Sequence, residues 1–236
     1  MPTFETARVA ERITWAEGRV TLVLNRPSVA TPGQFVNLGL HVGGTLHHRA
    51  YSVACRTGAP LAFYLVAVDG GQLSPHLCRL QPGDELLISP RPLGRFVLDH
   101  VAAAPTLWCL ATGTGLGPFI GMFRDGTCFK TFERVILVHG VRASDHLAYR
   151  AELEQLPLTY VPVLTRESAD LTGHLQDILQ DGRLEHHVSH PISDTHQVMA
   201  VGNPHMVRGV LTALKSRGMT LHTPRRPGQL HVERYW

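Results

Sequence analysis

A break in rhythm between Leu98 and Pro105 divides the sequence into two halves of different character. Before it, apolar stretches at Arg19 to Leu24, Gln34 to Leu40, Ala50 to Ala54, Leu61 to Val68 and Glu85 to Ser89 are separated by turn chemistry. The separators are Arg26-Pro27, Thr31-Pro32-Gly33, Gly43-Gly44, Asp69-Gly70-Gly71 and Pro82-Gly83-Asp84. Gly and Pro supply the backbone angles of tight reversals, and no helical period is sustained, so this half is expected to form a small antiparallel β-barrel. From Pro105 onward, apolar strands at Thr106 to Ala111, Val135 to His139, Tyr160 to Leu164 and Gln197 to Val201 alternate with helical stretches. That alternation builds a parallel sheet covered by helices. Asn203-Pro204, followed by Met206, Val210, Leu211 and Leu214, predicts a helix with an N-cap, a proline at its first position and a buried stripe, stopped by Gly218. The expected architecture is two domains, an antiparallel β-barrel over residues 1–100 and an α/β parallel-sheet domain over residues 101–236.

A chain of 236 residues with 44% hydrophobic content suits two ordinary cores and excludes a disordered or fibrous protein. The formal charge of +3 is too small to imply nucleic-acid binding. Cys55, Cys78, Cys109 and Cys128 form no close pair, so neither a zinc site nor an iron–sulfur cluster is expected. No metal is expected at the histidines either. His47-His48 and His186-His187 are neighbours whose side chains would diverge on an extended chain, no His-Glu-x-x-His occurs, and these four read as solvated loop residues. The N-terminal stretch carries acidic residues and no signal-like apolar core, and no apolar run reaches about 18 residues. A soluble cytoplasmic protein with free thiols is expected.

Two segments carry chemistry. In Arg49-Ala50-Tyr51-Ser52 an arginine fork can grip a pyrophosphate, an aromatic ring on the same strand face can stack on a flat cofactor, and a hydroxyl can bond a ring edge. An edge strand with a surface arginine and a core tyrosine would read the same way. In Leu110-Ala111-Thr112-Gly113-Thr114-Gly115-Leu116-Gly117-Pro118, glycines sit where an apolar strand gives way to a helix, so backbone can approach a ligand and helix-start amides can face it. The spacing differs from G-x-G-x-x-G.

Taken in order, these and several other motifs resemble the ferredoxin NADP reductase superfamily, and within it the bacterial ferredoxin or flavodoxin NADP reductases. The resemblance runs over nearly the whole chain, through Pro32-Gly33-Gln34-Phe35, Arg49-Ala50-Tyr51-Ser52, Tyr64-Leu65-Val66, Leu73-Ser74-Pro75, Pro82-Gly83-Asp84, Gly94-x-Phe96, the Gly113 to Pro118 turn, Gly202-Asn203-Pro204 and the terminal Val232-Glu233-Arg234-Tyr235-Trp236. It implies an FAD-binding barrel, an NADP-binding α/β domain, and electron transfer between NADPH and ferredoxin or flavodoxin by hydride transfer to flavin followed by one-electron steps. Residue by residue, Arg49 and Ala50 would hold the FAD pyrophosphate, Tyr51 would pack on the isoalloxazine and Ser52 would lie near its hydride-accepting nitrogen. Tyr64, Leu65, Val66 and Ala67 would line the flavin site, backbone at Leu73 and Ser74 would help bind phosphate, and Thr114 would contact flavin and border the nicotinamide pocket. The catalytic assignment is Tyr51, Ser52 and Thr114. Trp236 would stack on FAD, on adenine or on flavin.

The resemblance places NADP at Val141, Arg142, Thr165, Arg166, His174, Gly202, Asn203 and Pro204, with Arg142 and Arg166 on the 2′-phosphate. Where the family commonly has Leu-Thr-Gly-Arg, this chain has Leu171-Thr172-Gly173-His174. Two other readings stand beside this one: a flavin reductase of the same fold, distinguished by tightly bound FAD, and a non-catalytic electron-transfer subunit. A plain dinucleotide dehydrogenase would leave the first hundred residues without a role. Because an imidazole loses its charge between about pH six and eight whereas a guanidinium does not, NADPH affinity is expected to weaken across that range. Titrations at several pH values with the parent chain and His174→Ala check this, and a pH dependence that survives the substitution removes it.

Overall fold

The computed structural model describes residues 3–235. The chain divides into two compact units, one comprising the chain up to Leu98 with Gly117–Asp125, the other comprising Asp99–Leu116 with the chain from Gly126. The first contains β1 (Glu5–Ala16), β2 (Arg19–Pro27), β3 (Phe35–Val42), β4 (Thr45–Ser52), β5 (Pro60–Val66), α1 (Ser74–Leu77) and β6 (Glu85–Ile88). The strands pair antiparallel in the order β4-β3-β6-β1-β2-β5. The sheet curls on itself, and just past β4 the Ala54 N–H donates to the Ala62 carbonyl of β5 at 2.8 Å. Leu22, Leu38, Phe63 and Leu65 fill the interior.

Sequence reasoning passed over β1, the longest strand, which pairs with β2 on one edge and β6 on the other. Its register shifts between Val9 and Glu11 and again between Thr14 and Ala16. Each irregularity breaks the two-residue alternation that marks a strand, and only Ala7 and Val9 are buried along it. β4 begins at Thr45, five residues before the expected Ala50. The hairpin from β3 turns on Gly43 and Gly44, with φ of 58° and 81°, the backbone that a two-residue reversal of this hand requires. His47 and His48 are therefore strand residues, not loop residues, and His48 packs against Phe4 with ring centroids 5.3 Å apart. His186 and His187 likewise belong to a helix.

The second unit holds β7 (Thr106–Thr112), α3 (Cys128–Thr131), β8 (Arg134–Val141), α4 (Arg150–Leu153), β9 (Thr159–Leu164), α5 (Leu175–Gln180), α6 (Arg183–Val188), β10 (Gln197–Gly202), α7 (Pro204–Lys215) and β11 (Leu230–Arg234). A helix of the first unit, α2 (Leu116–Asp125), follows the turn after β7. The five strands are parallel in the order β11-β10-β7-β8-β9. Covered on both faces, such strands become continuously apolar, and every residue of β10 is buried. Trp108, Leu110, Ile136, Val138 and Ala200 pack with Ile178, Leu179, Val207, Val210 and Leu214. β11 was not expected as a strand; it is an edge strand of mixed composition, Leu-His-Val-Glu-Arg, without a continuous apolar signal. No helix among the described residues is long and apolar enough to cross a membrane.

The helix expected after Asn203 is α7. Asn203 Oδ1 accepts from the His205 N–H at 2.7 Å, Pro204 opens the helix, and Gly218 has φ of 85° beyond its end. Asn203→Ala should cost about 1 kcal/mol, the usual worth of a side-chain N-cap, whereas Asn203→Asp should keep most of it. Urea midpoints of the three chains check this.

Candidate functional site

In the first unit, β4 presents Arg49 and Tyr51 on one side and Ala50 and Ser52 on the other, by strand alternation. Arg49 is exposed, with Nη1 donating to the His48 carbonyl at 2.8 Å, and no carboxylate pairs with it among the described residues. Tyr51 is half-buried against the barrel core. On β5, Tyr64 lies opposite Thr21 and Leu65 opposite Val20. α2 approaches both strands. A Cβ at Gly117 would lie 3.8 Å from Tyr64 Cβ, 3.9 Å from Ala54 Cβ and 3.9 Å from the Ser52 carbonyl, so the helix starts in van der Waals reach of Ser52 and Tyr64. α2 is held in place farther along, where Arg124 Nη1 donates to the Ala54 carbonyl at 3.2 Å and Phe119 meets Phe96 edge-on with centroids 5.8 Å apart. Beyond β5, Ser74 Oγ accepts from the Val68 N–H at 3.1 Å and so ties the turn after Ala67 to α1. Arg12 reaches from β1 to the far end of α1, donating through Nε and Nη2 to the Cys78 carbonyl at 3.2 and 3.1 Å.

Burial raises both phenols. Tyr51 is pushed up to about 12, first by desolvation, then by the nearby Cys78, against a lowering pull from Arg49. Tyr64 is likewise pushed up to about 12 by desolvation, partly opposed by Arg19. Both rings therefore act as neutral aromatic surfaces and hydroxyl donors, not as phenolates.

In the second unit, the carboxyl ends of the parallel strands gather on one edge of the sheet, the edge where ligands of such sheets bind. Thr112 ends β7 and Gly202 ends β10, and the Asn203 N–H donates to Thr112 Oγ1 at 3.0 Å. Thr114 stands in the turn of 3₁₀ helix at Gly113–Gly115, which follows directly. Val141 ends β8, and its carbonyl accepts from the Thr165 N–H at 3.1 Å. One residue on, the Arg166 N–H donates to the Arg142 carbonyl at 2.9 Å, so the backbone sets these two arginines side by side. Both are exposed and neither has an acidic partner among the described residues. Glu167, next in sequence to Arg166, is engaged elsewhere. Its Oε2 accepts from the Ser144 N–H at 2.8 Å, which ties the two arginine-bearing loops together and holds its carboxyl below the usual range. The Gly173 N–H donates to the Leu164 carbonyl at 2.9 Å, bringing exposed His174 to the carboxyl end of β9.

Comparison with known proteins gives this arrangement a family. The Oxidoreductase NAD-binding domain family matches residues 109–212. The flavodoxin/ferredoxin–NADP reductase of Escherichia coli is 38% identical over 248 aligned positions covering all of both chains. The chain belongs to the flavodoxin/ferredoxin–NADP reductase family. The ferredoxin–NADP reductase of Azotobacter vinelandii is 35% identical, covering 86% of this chain and 85% of its own. A crystal structure of a ferredoxin NADP+ reductase from Neisseria gonorrhoeae with bound FAD and NADP superimposes with a TM-score of 0.92 at 25% identity, covering 99% of both chains.

Within the reductase, Arg49 to Ser74 of the expected site fall in the first unit, and Thr114, Val141, Arg142, Thr165, Arg166, His174, Gly202, Asn203 and Pro204 in the second. Trp236 lies outside the described residues; its neighbour Tyr235 donates its N–H to the Gly202 carbonyl at 3.0 Å. Leu65, Leu73 and Val141 are core residues by their side chains, so only their main chain is available to a ligand. The site residues named from the sequence did not include Thr112 or Arg12. Thr112 stood beside the Gly-rich turn as a visible polar end to an apolar strand.

An unfolded tyrosine releases its proton near pH 10, while folded Tyr64 keeps it to about 12. The unfolded state thus binds fewer protons in that window, so stability is intact below pH 10 and falls as pH rises through it. The loss from Tyr64 should reach about 2 kcal/mol, and Tyr64→Phe should lessen the alkaline fall in the urea midpoint between pH 9 and 12.

Proposed function

We propose that this chain is an FAD-dependent oxidoreductase that passes electrons between NADPH and a ferredoxin or flavodoxin. The observation that carries the reading is the end-to-end match to reductases of that activity, with no segment of either chain left over. The residues fit both dinucleotides. Arg49 offers an exposed guanidinium with no carboxylate against it, and the neutral Tyr51 ring shares its strand face. Arg142 and Arg166 offer two adjacent unneutralised forks, matched to a phosphate oxygen set.

Bound FAD supplies the conversion between a two-electron hydride and single electrons. The chain's own residues bind and orient. Arg49 and Ala50 hold the pyrophosphate, Tyr51, Tyr64, Val66 and Ala67 enclose the ring system with main chain from Leu65, and Ser52 stands at the ring edge. Leu73 and Ser74 contribute backbone to phosphate binding. Thr114 would border the nicotinamide pocket. Arg142 and Arg166, with His174, hold the 2′-phosphate, while Val141, Thr165, Gly202, Asn203 and Pro204 shape the remaining nucleotide surface. The carrier protein is a separate molecule. Four unbridged, buried cysteines suit the reducing cytoplasm as the place of work.

The reading is tested by anaerobic absorbance titration of the FAD-reconstituted protein with NADPH and with NADH. NADPH should bleach the flavin band at the lower concentration, and Arg142→Ala or Arg166→Ala should weaken NADPH about tenfold while leaving NADH nearly unchanged. Failure to retain FAD, or electron delivery only to free flavin and not to ferredoxin or flavodoxin, overturns it.

A further inference from the structure

One buried polar side chain beside the Gly-rich turn has no part in the function so far. His139, on β8, is fully buried among aliphatic strand residues. Its Nε2 lies 3.1 Å from the Gly113 carbonyl oxygen, and its Nδ1 lies 3.5 Å from the Tyr160 hydroxyl on β9. A carbonyl oxygen only accepts, so Nε2 carries the proton, and the Tyr160 hydroxyl stands at the limit of hydrogen-bonding range from Nδ1.

The consequence falls on the next peptide. In a planar trans peptide the C=O and the following N–H point in opposite directions, so a carbonyl held toward buried His139 sends the Thr114 N–H the other way. That fixation is needed at this position. Gly113 has φ of 54°, and a Cβ there would meet nothing within 4 Å, so packing does not restrain the unit. A peptide following glycine turns over cheaply unless something grips it. The Leu116 N–H also donates to the Gly113 oxygen, which closes the short helical turn from the other side and completes the two acceptor positions of that oxygen.

We propose that His139 is a positioning residue of the reductase: it clamps the Gly113–Thr114 peptide so that the Thr114 amide and hydroxyl face the bound nicotinamide nucleotide, with the Tyr160 hydroxyl beside Nδ1. Thr114's role rests on the function proposed above, whereas the clamp and the tautomer do not. Two measurements test it. In protein labelled with 15N at histidine and reconstituted with FAD, the His139 resonances should show a protonated Nε2 and an unprotonated Nδ1, and Tyr160→Phe should shift the Nδ1 resonance. An Nε2 without its proton overturns the clamp, whether or not NADPH reduces the enzyme. In stopped flow at saturating NADPH, His139→Leu should reduce flavin about tenfold more slowly. His139→Gln, whose amide N–H can reach the same carbonyl, should recover to within about threefold of the parent. A leucine variant as fast as the parent, or a glutamine variant no better than leucine, overturns the positioning role. Should the leucine variant not fold, the tautomer and the glutamine variant decide. A parent enzyme that NADPH does not reduce counts against the proposed function alone.

Discussion

The close approach of two backbones at the carboxyl edge of the parallel sheet is the constraint on which the nucleotide-binding unit depends. A Cβ on Gly115 would sit 2.5 Å from the Val201 carbonyl oxygen, and one on Gly202 would lie 2.9 Å from the carbonyl oxygen of Thr112. Real side chains do not tolerate such distances, so the turn after β7 can lie against the end of β10 only because both positions lack one. Given that approach, Thr112 Oγ1 can reach the Asn203 N–H, and Asn203, thus placed, caps α7. The same seating leaves the Gly113 carbonyl within reach of His139. Main-chain proximity comes first, and the polar contacts follow from it.

Five arginines among the described residues are paired with carboxylates. Arg8 pairs with Glu85, Arg26 with Glu5, Arg150 with Glu154, Arg183 with Asp181 and Arg217 with Glu185. The Arg8, Arg150 and Arg183 pairs are largely solvent-exposed and contribute little to stability, whereas Arg217 and Glu185 are mostly buried. Arg49, Arg142 and Arg166 lack such a partner, although Glu167 adjoins Arg166 in sequence. Its carboxylate is drawn instead to the Ser144 amide. An acid next to Arg166 in sequence is thus used to fix the loop that carries it.

Much of this was legible in the sequence, in proportion to how strongly side-chain pattern governs each element. The three central strands of the parallel sheet, β9 at its edge, and α7 announce themselves, because apolar strand content or an N-cap followed by a periodic stripe leaves a plain mark in residue type. β1 does not, since its register irregularities scramble alternation and its outward residues are charged. β11 is short and lies at the sheet edge, and the histidines of β4 were taken for loop residues because Thr45 to Arg49 carries little apolar content. The family motifs supplied the candidate site residues, and the structure sorts them into side chains that stand free to contact a ligand, such as Arg49, and those such as Leu65 that belong to the core.

The residues that escaped have a common physical character: they act on main-chain atoms. Arg12 donates to the Cys78 carbonyl, Thr112 accepts from the Asn203 amide, and His139 holds the Gly113 carbonyl. Residue type tells which groups a side chain carries, but the direction of a carbonyl or an amide depends on backbone angles set by distant packing. A sequence motif therefore points to the side chains that meet a ligand and is silent on those that aim the backbone. A lone histidine in an otherwise aliphatic strand is the trace such a residue can leave, because a buried imidazole needs partners and the strand ladder already consumes its neighbours' amides.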